Sequence, residues 1–384
     1  LKHPSKNPLL KIFKRCMQTP AWGENDLYQH MAYLTDGKSP AAECVTAIDR
    51  LAASVMVLFV SSTQLGFPPM NTFDPAQIRT IGIIGSGTIG ASWAAYFLAR
   101  GYQVHAWDPA SGWQDRLQQF IDTAWPQLAK LGLVVDGATA HVSFAETPEA
   151  VVKAAPIIQE SALENTAVKR QLYGRLDAVM SAQSVILSST SGLLMSELQA
   201  GLRHAAQFVV GHPFNPPHLI PLVEVVGGKD TDPGLIDRAL DFYRHIGKHP
   251  IRINKEVPGH LANRLQAALW REALLALKED LASVADIDAA IAQGPGMRLA
   301  IFGPHMIFAL AGGKGGIEGF IDHLGPGIRK WWQTMDETNP ELTPELVAKL
   351  AAGIADEANG RSIDELEAER DSRLLALLNM TRGN

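Results

Sequence analysis

Short apolar runs alternate with longer amphipathic stretches across residues 70–255. The runs at 78–84 and 103–107 have the length and composition of buried strands. The stretches that follow them, 91–100 and 113–131, have the spacing of helices that bury one face. Further strands are predicted at residues 154–160, 184–189, 207–211, 222–226 and 249–254. This alternation predicts an α/β fold with a doubly wound, mostly parallel sheet covered by helices on both faces.

The pattern changes near residue 255, beyond which only helices are predicted. Residues 261–280 have the spacing of one long helix. Later helix starts are marked by cap residues at Ser283 with Asp286, at Thr343-Pro344-Glu345 and at Ser362-Ile-Asp-Glu365. Residues 294–327 are rich in glycine and aromatic side chains and are expected to form loops and short helices. We therefore predict two domains, at 70–255 and 256–384, the second all helical.

The first 69 residues differ from the rest of the chain, because they show no clear periodicity and do not begin with Met. The apolar run at 51–60 is far shorter than the roughly 20 residues of a membrane-spanning helix, and it is badly placed for a secretory signal. Met70 leads directly into the first predicted strand. We expect residues 1–69 to be a poorly ordered extension from a longer reading frame, with Met70 as the natural start; the alternative is a genuine N-terminal extension.

Composition narrows the function mainly by exclusion. The net charge of −6 on 384 residues gives no indication of a nucleic-acid or membrane partner. Cys16 and Cys44 are the only cysteines, so neither a disulfide framework nor a cysteine metal site is expected. We predict a cytoplasmic protein without a metal centre.

The glycine-rich segment Gly85-Ser-Gly-Thr-Ile-Gly90 joins the first strand to the first helix. In a dinucleotide-binding turn, the first glycine forms the bend, the second admits the pyrophosphate and the third lets helix and strand pack closely. Asp108 ends the second strand about 20 residues on, where a carboxylate binds the adenine ribose and repels a 2′-phosphate. These features predict a Rossmann-type domain that binds NAD rather than NADP. The predicted contacts are Gly85, Ser86, Gly87, Thr88, Ile89, Gly90 and Asp108.

Four polar residues at strand ends or helix starts are candidates for catalysis: Ser191, His212, Glu224 and Asn263. Glu224 lies inside an apolar run, where an unpartnered carboxylate costs several kcal/mol. An imidazole is a suitable partner, and Glu224 would orient His212 for removing a proton from an alcohol. Ser191 and Asn263 would hold the alcohol oxygen. Each residue alone also has a structural interpretation: an Arg or Lys partner for Glu224, a turn for His212, a helix cap for Ser191 and a polar helix position for Asn263.

Five motifs occur in an order and spacing that resembles the 3-hydroxyacyl-CoA dehydrogenase superfamily across residues 76–330. They are GSGTIG, SSTSGL, GHPFNPP, PLVEVVGG and KEVPGHLANRL. The resemblance implies that His212 is the catalytic base, Glu224 its partner, and Ser191 and Asn263 the remaining active-site residues. It also implies that Glu160 and Lys169 lie beside the nicotinamide ribose. The helical domain of the family dimerises, so a homodimer is expected.

Within the superfamily, the chain looks most like the carnitine dehydrogenase branch at residues 107–110, 188–194, 268–274, 310–313, 341–343 and 360–367. Residues 109–150 contain only Arg116 and Lys130 as basic residues, whereas acyl-CoA enzymes carry a lysine-rich arm there. The resemblance therefore implies NAD-dependent oxidation of the 3-hydroxyl of L-carnitine to 3-dehydrocarnitine. The alternatives are another 3-hydroxy acid of the L-gulonate type, a 3-hydroxyacyl-CoA, or a crystallin-like structural protein that binds the cofactor without catalysis.

Carnitine is a zwitterion, so its site needs an aromatic wall for the trimethylammonium group and a cation or N–H groups for the carboxylate. Candidate aromatic residues are Trp270, Phe302, Phe308, Trp331 and Trp332. Arg298 and Lys314 are candidates for the carboxylate. For each of these aromatic residues a place in a core is the commoner role, and the Trp331-Trp332 pair could equally lie at an interface.

Overall fold

One eight-stranded sheet organises the fold in a computed structural model that describes residues 74–335 and 339–382. Its strands are β1 (Thr80–Ile84), β2 (Gln103–Trp107), β3 (Ser143–Phe144), β4 (Ile157–Glu160), β5 (Val185–Ser188), β6 (Phe208–Pro213), β7 (Leu222–Gly227) and β8 (His249–Arg252). Their order in space is β3-β2-β1-β4-β5-β6-β7-β8. Strands β1 to β6 are parallel, whereas β7 is antiparallel to β6 and β8 is parallel to β7. The prediction of a doubly wound, mostly parallel sheet is confirmed.

Helices cover both faces of the sheet, as the side-chain alternation of β1 requires. They are α1 (Thr88–Ala99), α2 (Trp113–Lys130), α3 (Pro148–Ala154), α4 (Thr166–Asp177), α5 (Met195–Leu198) and α6 (Pro233–His245). Ile83 packs in a core cluster with residues of α1, α2 and α6. Its neighbour Ile84 packs in a second cluster with residues of α3 and α4. Successive strand residues point to opposite faces, so each face needs its own helical layer.

The chain beyond β8 is helical, as predicted. Its helices are α7 (Ala262–Lys278), α8 (Val284–Ala292), α9 (Pro295–Leu299), α10 (Pro304–Ala311), α11 (Gly316–Met335), α12 (Pro344–Ala358) and α13 (Ile363–Arg382). The hydroxyls of Ser283, Thr343 and Ser362 accept backbone N–H hydrogen bonds at the starts of α8, α12 and α13. The three predicted caps are thus confirmed.

The expectation of loops and short helices throughout residues 294–327 is wrong after Gly316. There α11 begins and continues for 20 residues through Pro326. Phe320 on this helix is buried and packs against Phe308 of α10, with ring centroids 4.8 Å apart. Packing of one apolar face stabilises a helix that local propensity alone would interrupt.

The last helix returns to the sheet. Leu378 of α13 is buried in the same core cluster as residues of α1 and α2. The helical region is therefore anchored to the first region at its end as well as at its beginning. The domain boundary near residue 255 stays a prediction, and the proposed extension at 1–69 lies outside the described residues. None of the described helices is long and apolar enough to cross a bilayer.

A buried histidine lies between α1 and α2. His218 Nδ1 is 2.8 Å from Ser92 Oγ, and its Nε2 is 2.8 Å from Gln127 Oε1. Burial is the main cause that lowers the pKa of His218 to about 4, against an opposing effect of Asp371. The folded protein therefore keeps this imidazole neutral at pH values where an unfolded chain would protonate it.

We expect this histidine to make stability fall with acidification in a defined range. Because the folded pKa of His218 lies below its ordinary value of 6.5, its contribution is complete above pH 6.5 and is lost as the pH falls toward 4. The free energy of unfolding should drop by about 2 kcal/mol between pH 7.5 and pH 5 from this group. Urea unfolding measured at both pH values, with His218→Gln as the comparison, checks this. An equal drop in the variant would contradict the assignment.

Candidate active site

The turn between β1 and α1 has the geometry of a dinucleotide cradle. Gly85 has a φ of +88°, and a Cβ at this position would lie 2.5 Å from the backbone oxygen of Ser161. A Cβ on Gly90 would lie 1.8 Å from the backbone oxygen of Gly85. These obstacles are backbone atoms, so both positions require glycine. Gly87 instead faces open space among the described residues, and it precedes α1 without a side-chain cap. Free N–H groups at this helix start suit a pyrophosphate.

Asp108 is tied into the cradle. Its Oδ2 accepts a hydrogen bond from the Ser86 N–H at 2.7 Å, and its Oδ1 accepts one from the Ala110 N–H at 2.8 Å. The carboxylate is thereby fixed at the end of β2, beside the glycine turn. Thr88 is exposed and Ile89 is half-buried at the first turn of α1. The structure therefore brings all seven predicted cofactor contacts, the six residues of the glycine motif and Asp108, to one edge of the sheet.

A cavity of about 600 Å³ opens from this cradle. Its lining includes Gly85, Gly87, Trp107, Asp108, Leu163, Val168, Leu172 and Arg175. The Arg175 guanidinium carbon lies 5.8 Å from the Trp107 ring centroid, and Glu149 holds the same guanidinium through two hydrogen bonds of 2.7 and 3.0 Å. A flat indole, an apolar wall and a carboxylate next to a glycine turn suit an adenine ring joined to a ribose. The residues present thus fit NAD.

Glu160 and Lys169 lie below this cavity and do not line it. Both are fully buried, and Lys169 Nζ donates to Glu160 Oε1 at 2.6 Å. The Tyr173 hydroxyl donates to Glu160 Oε2 at 2.6 Å, and burial, with the Glu160 charge, raises the Tyr173 pKa well above its usual value. The remaining acceptor capacity is used by Ser188 and by the Ala162 N–H. Both residues bond to the backbone of Ala162 and so support the loop at 161–163, and their place beside the nicotinamide ribose stays a prediction.

Glu164, in the loop between β4 and α4, is a further carboxylate beside this pair, 3.8 Å from Lys169 Nζ, and it was not predicted from the sequence. Its Oε1 accepts hydrogen bonds from Thr190 Oγ1, from the Ser191 N–H and Oγ, and from the Gly192 N–H, at 2.7 to 3.1 Å. Burial works to raise the Glu164 pKa, but the bonds from Thr190 and Ser191 and the nearby Lys169 lower it overall. Glu164 lies four residues after the end of β4, in the loop that leads to α4, and that position was an available signal.

His212 and Glu224 lie directly opposite each other on the antiparallel strands β6 and β7. His212 Nδ1 is 2.8 Å from Glu224 Oε2, and both side chains are buried. Phe214 and His260 flank the imidazole, with ring centroids 4.9 and 5.3 Å away. The reversal of β7 is what makes this pair possible, since it places two residues 12 positions apart side by side. Among the described residues, His212 Nε2 has no hydrogen-bond partner, so it is the nitrogen open to a ligand.

The second oxygen of Glu224 binds the helical region. Glu224 Oε1 accepts hydrogen bonds from the Leu261 and Ala262 N–H groups, at 3.0 and 2.8 Å. Burial works to raise the Glu224 pKa, and the bonds from His212 and from these two N–H groups lower it overall. The carboxylate is therefore ionised at neutral pH and also satisfies the N-terminal N–H groups of α7.

Ser191 and Asn263 complete the cluster. Asn263, in the first turn of α7, donates from Nδ2 to the Ser191 backbone oxygen at 2.9 Å. His260, three residues earlier, donates from Nε2 to the Thr190 backbone oxygen at 3.0 Å. These two bonds fasten the start of α7 to the loop after β5. Ser191 is exposed and Asn263 is half-buried, so both side chains can meet a small molecule.

The family models describe this arrangement of domains. Residues 80–257 match the 3-hydroxyacyl-CoA dehydrogenase NAD binding domain, and residues 259–355 match the 3-hydroxyacyl-CoA dehydrogenase C-terminal domain. Together the two matches cover most of the chain. The chain belongs to the 3-hydroxyacyl-CoA dehydrogenase family. It is accordingly an oxidoreductase that acts on a CH–OH group with NAD as cofactor.

Several members of this family are close in sequence. L-carnitine dehydrogenase from Streptomyces griseus is 48% identical over 307 residues, which are 80% of this chain and 91% of the relative. L-carnitine dehydrogenase from Pseudomonas putida is 41% identical over 308 residues, which are 80% of this chain and 95% of the relative. Among solved structures, FHMPC 5-dehydrogenase, an NAD+-dependent dismutase, superposes with a TM-score of 0.66 at 28% identity, over 80% of this chain and all of that one.

In a dehydrogenase of this family, the cofactor cavity and the cluster around His212 would have separate roles. The glycine turn, Asp108 and the cavity beside Trp107 would hold NAD, which when bound accepts the hydrogen removed from the carbinol carbon. The cluster of His212, Glu224 and Asn263 lies at the junction of sheet and α7. Across residues 74–335 and 339–382, no group of three His, Cys, Asp or Glu side chains is arranged to hold a metal ion.

Proposed function

We propose that this enzyme oxidises the 3-hydroxyl of L-carnitine to 3-dehydrocarnitine with NAD. The observation that carries the proposal is the 48% identity to an L-carnitine dehydrogenase across 91% of that relative. The net negative charge of residues 109–150, whose only Lys or Arg residues are Arg116 and Lys130, supports a small substrate rather than an anionic CoA ester.

In the proposed mechanism, His212 Nε2 takes the proton of the substrate hydroxyl as the C–H hydrogen leaves. The ionised Glu224 holds Nδ1 and stabilises the imidazolium that forms. The Ser191 hydroxyl and the Asn263 amide can donate to the substrate oxygen, first as an alcohol and then as a carbonyl. Glu164 would position Ser191 by holding its N–H, and the single hydroxyl hydrogen of Ser191 would turn from Glu164 to the substrate oxygen when substrate binds.

We also propose that the protein acts as a homodimer in the cytoplasm. Several large apolar side chains of the helical region are exposed: Phe302, Met306, Ile321, Leu324, Trp331 and Trp332. Apolar groups concentrated on one region of a surface are typical of an interface between subunits. The cytoplasmic location rests on the sequence alone.

A side-by-side assay of NAD reduction tests the substrate. L-carnitine, L-gulonate and 3-hydroxybutyryl-CoA are offered at equal concentrations, and we expect kcat/KM to be highest for carnitine by at least about tenfold, a difference of about 1.4 kcal/mol in transition-state binding. Preferred turnover of the CoA ester or of gulonate would overturn the substrate and leave the family assignment intact. Tight NAD binding without turnover of any of the three would instead favour a crystallin-like protein.

A further inference from the structure

A second cavity, of about 1080 Å³, runs along α7 from Asn263. On α7 it is lined by Asn263, Gln266, Ala267 and Trp270, which recur at the spacing of one helix face. Four residues of α8 also line the cavity: Ile287, Asp288, Ile291 and Ala292. The cavity therefore begins at a side chain of the proposed active site and continues away from the sheet.

Trp270 is within reach of a substrate held at Asn263. Seven residues of α-helix span about 10 Å, and helical side chains lean toward the N-terminus of their helix. Asn263 and Trp270 both line the cavity, two turns apart on one face of α7. The trimethylammonium nitrogen of carnitine is two bonds from the carbon that carries the hydroxyl, so an indole at this position can contact its methyl groups.

The cavity distinguishes among the aromatic residues that the sequence offered. Trp270 lines it and is 53% exposed. The other candidates, Phe302, Phe308, Trp331 and Trp332, are not part of its lining among the described residues. Arg298 and Lys314, which were candidates for the carboxylate, do not line it either. Of the aromatic candidates, Trp270 is therefore the one that lines the same cavity as Asn263.

The charges around the cavity favour a cation. The carboxylates of Asp288 and Glu357 line it, together with the single basic group of Arg370. Arg370 is already paired, since its guanidinium is 2.9 Å from Asp371 and 3.5 Å from Glu367. The net charge of the lining is negative, and an indole presents a negative π face to a cation.

From these observations we infer that Trp270 is the aromatic seat of the substrate's trimethylammonium group, with Asp288 and Glu357 supplying the surrounding negative charge. This inference rests on the proposed function, because it names the residues that would recognise a quaternary ammonium in the same site. It assigns Trp270 a role in specificity and none in proton transfer.

The test compares carnitine with its neutral carbon isostere, 3-hydroxy-5,5-dimethylhexanoate, in which a carbon replaces the quaternary nitrogen. The ratio of kcat/KM for the two substrates isolates the contribution of the positive charge. We expect Trp270→Leu to reduce this ratio by about 30-fold, the equivalent of roughly 2 kcal/mol for a desolvated cation–π contact. Glu357→Gln and Asp288→Asn should each reduce it by a few-fold, and Trp125→Leu, a half-buried tryptophan of α2 outside the lining, should leave it unchanged.

The outcomes separate this inference from the proposed function. If the wild-type enzyme does not oxidise carnitine, the proposed function fails. If the wild type oxidises carnitine and Trp270→Leu keeps the wild-type ratio, the assignment of Trp270 is overturned while the function stands. The dissociation constant for NADH reports whether Trp270→Leu is folded. Should it not fold, an unchanged ratio in both carboxamide variants overturns the inference, and a lowered ratio supports it.

Discussion

Replacing His212 with asparagine should lower kcat about 1,000-fold or more while NAD binding stays within a few-fold of the wild type. Asparagine can still donate a hydrogen bond near the position of Nδ1, so Glu224 keeps a partner and the strand pairing of β6 with β7 is preserved. It has no counterpart of Nε2, so the alcohol proton has no acceptor. Steady-state kinetics with carnitine and a fluorescence titration with NADH measure the two quantities separately.

A matched control is available between the end of α4 and the turn before β6. His204 Nδ1 is 2.9 Å from Asp177 Oδ1, and this second histidine–carboxylate pair does not line the cavities described above. His204→Asn should leave kcat nearly unchanged. Retention of more than a tenth of the wild-type kcat in His212→Asn would show that another group removes the proton.

Replacing Lys169 with methionine should lower the free energy of unfolding by about 3–5 kcal/mol. The change leaves the fully buried Glu160 carboxylate without its counter-ion, although Tyr173 and Ser188 still donate to it. Urea unfolding without NAD measures this effect. The double variant Glu160→Gln, Lys169→Met removes both charges and should recover most of the loss, because the penalty comes from an unpaired charge and not from a missing contact.

An exposed ion pair provides the comparison for this experiment. Arg244 NH1 is 2.8 Å from Asp241 Oδ1, and both side chains are more than half exposed. Arg244→Met should cost less than about 1 kcal/mol, because solvent screens a surface pair. A loss of similar size in Lys169→Met would mean that Glu160 becomes protonated or hydrated at little cost.

The elements around the glycine motif could be predicted from local sequence, because each strand there is a short apolar run and each helix has a cap or a glycine end. The two-residue strand β3, at 143–144, was not predicted, since two exposed residues are too few to show a periodic apolar pattern. The continuation of α11 through Pro326 was also missed. That helix depends on the packing of Phe320, a tertiary contact that local sequence does not reveal.

In the candidate site, too, some features could be predicted from local sequence and others depend on tertiary contacts. His212 and Glu224 could be paired from sequence because a carboxylate in an apolar strand needs a nearby partner, and the antiparallel register supplies it. The burial of Glu160 and the exposure of Glu164 could not be predicted, because the two carboxylates are only four residues apart and the contacts that distinguish them are tertiary. Trp270 was one aromatic residue among several until the cavity along α7 was seen.

Glu224 joins the sheet to the start of α7 with a single side chain. One of its oxygens accepts from His212, and the other accepts from the Leu261 and Ala262 N–H groups. Glutamine has nearly the same shape but carries one oxygen and one amide nitrogen. With its oxygen on the Leu261 and Ala262 N–H groups, it would turn its own NH2 toward His212 and force the ring proton onto Nε2. The imidazole would then have no lone pair for the substrate. With its oxygen on His212, glutamine would instead turn its NH2 group toward the Leu261 and Ala262 N–H groups, and donors would face donors. Glu224→Gln should therefore lose either the catalytic base or the attachment of α7.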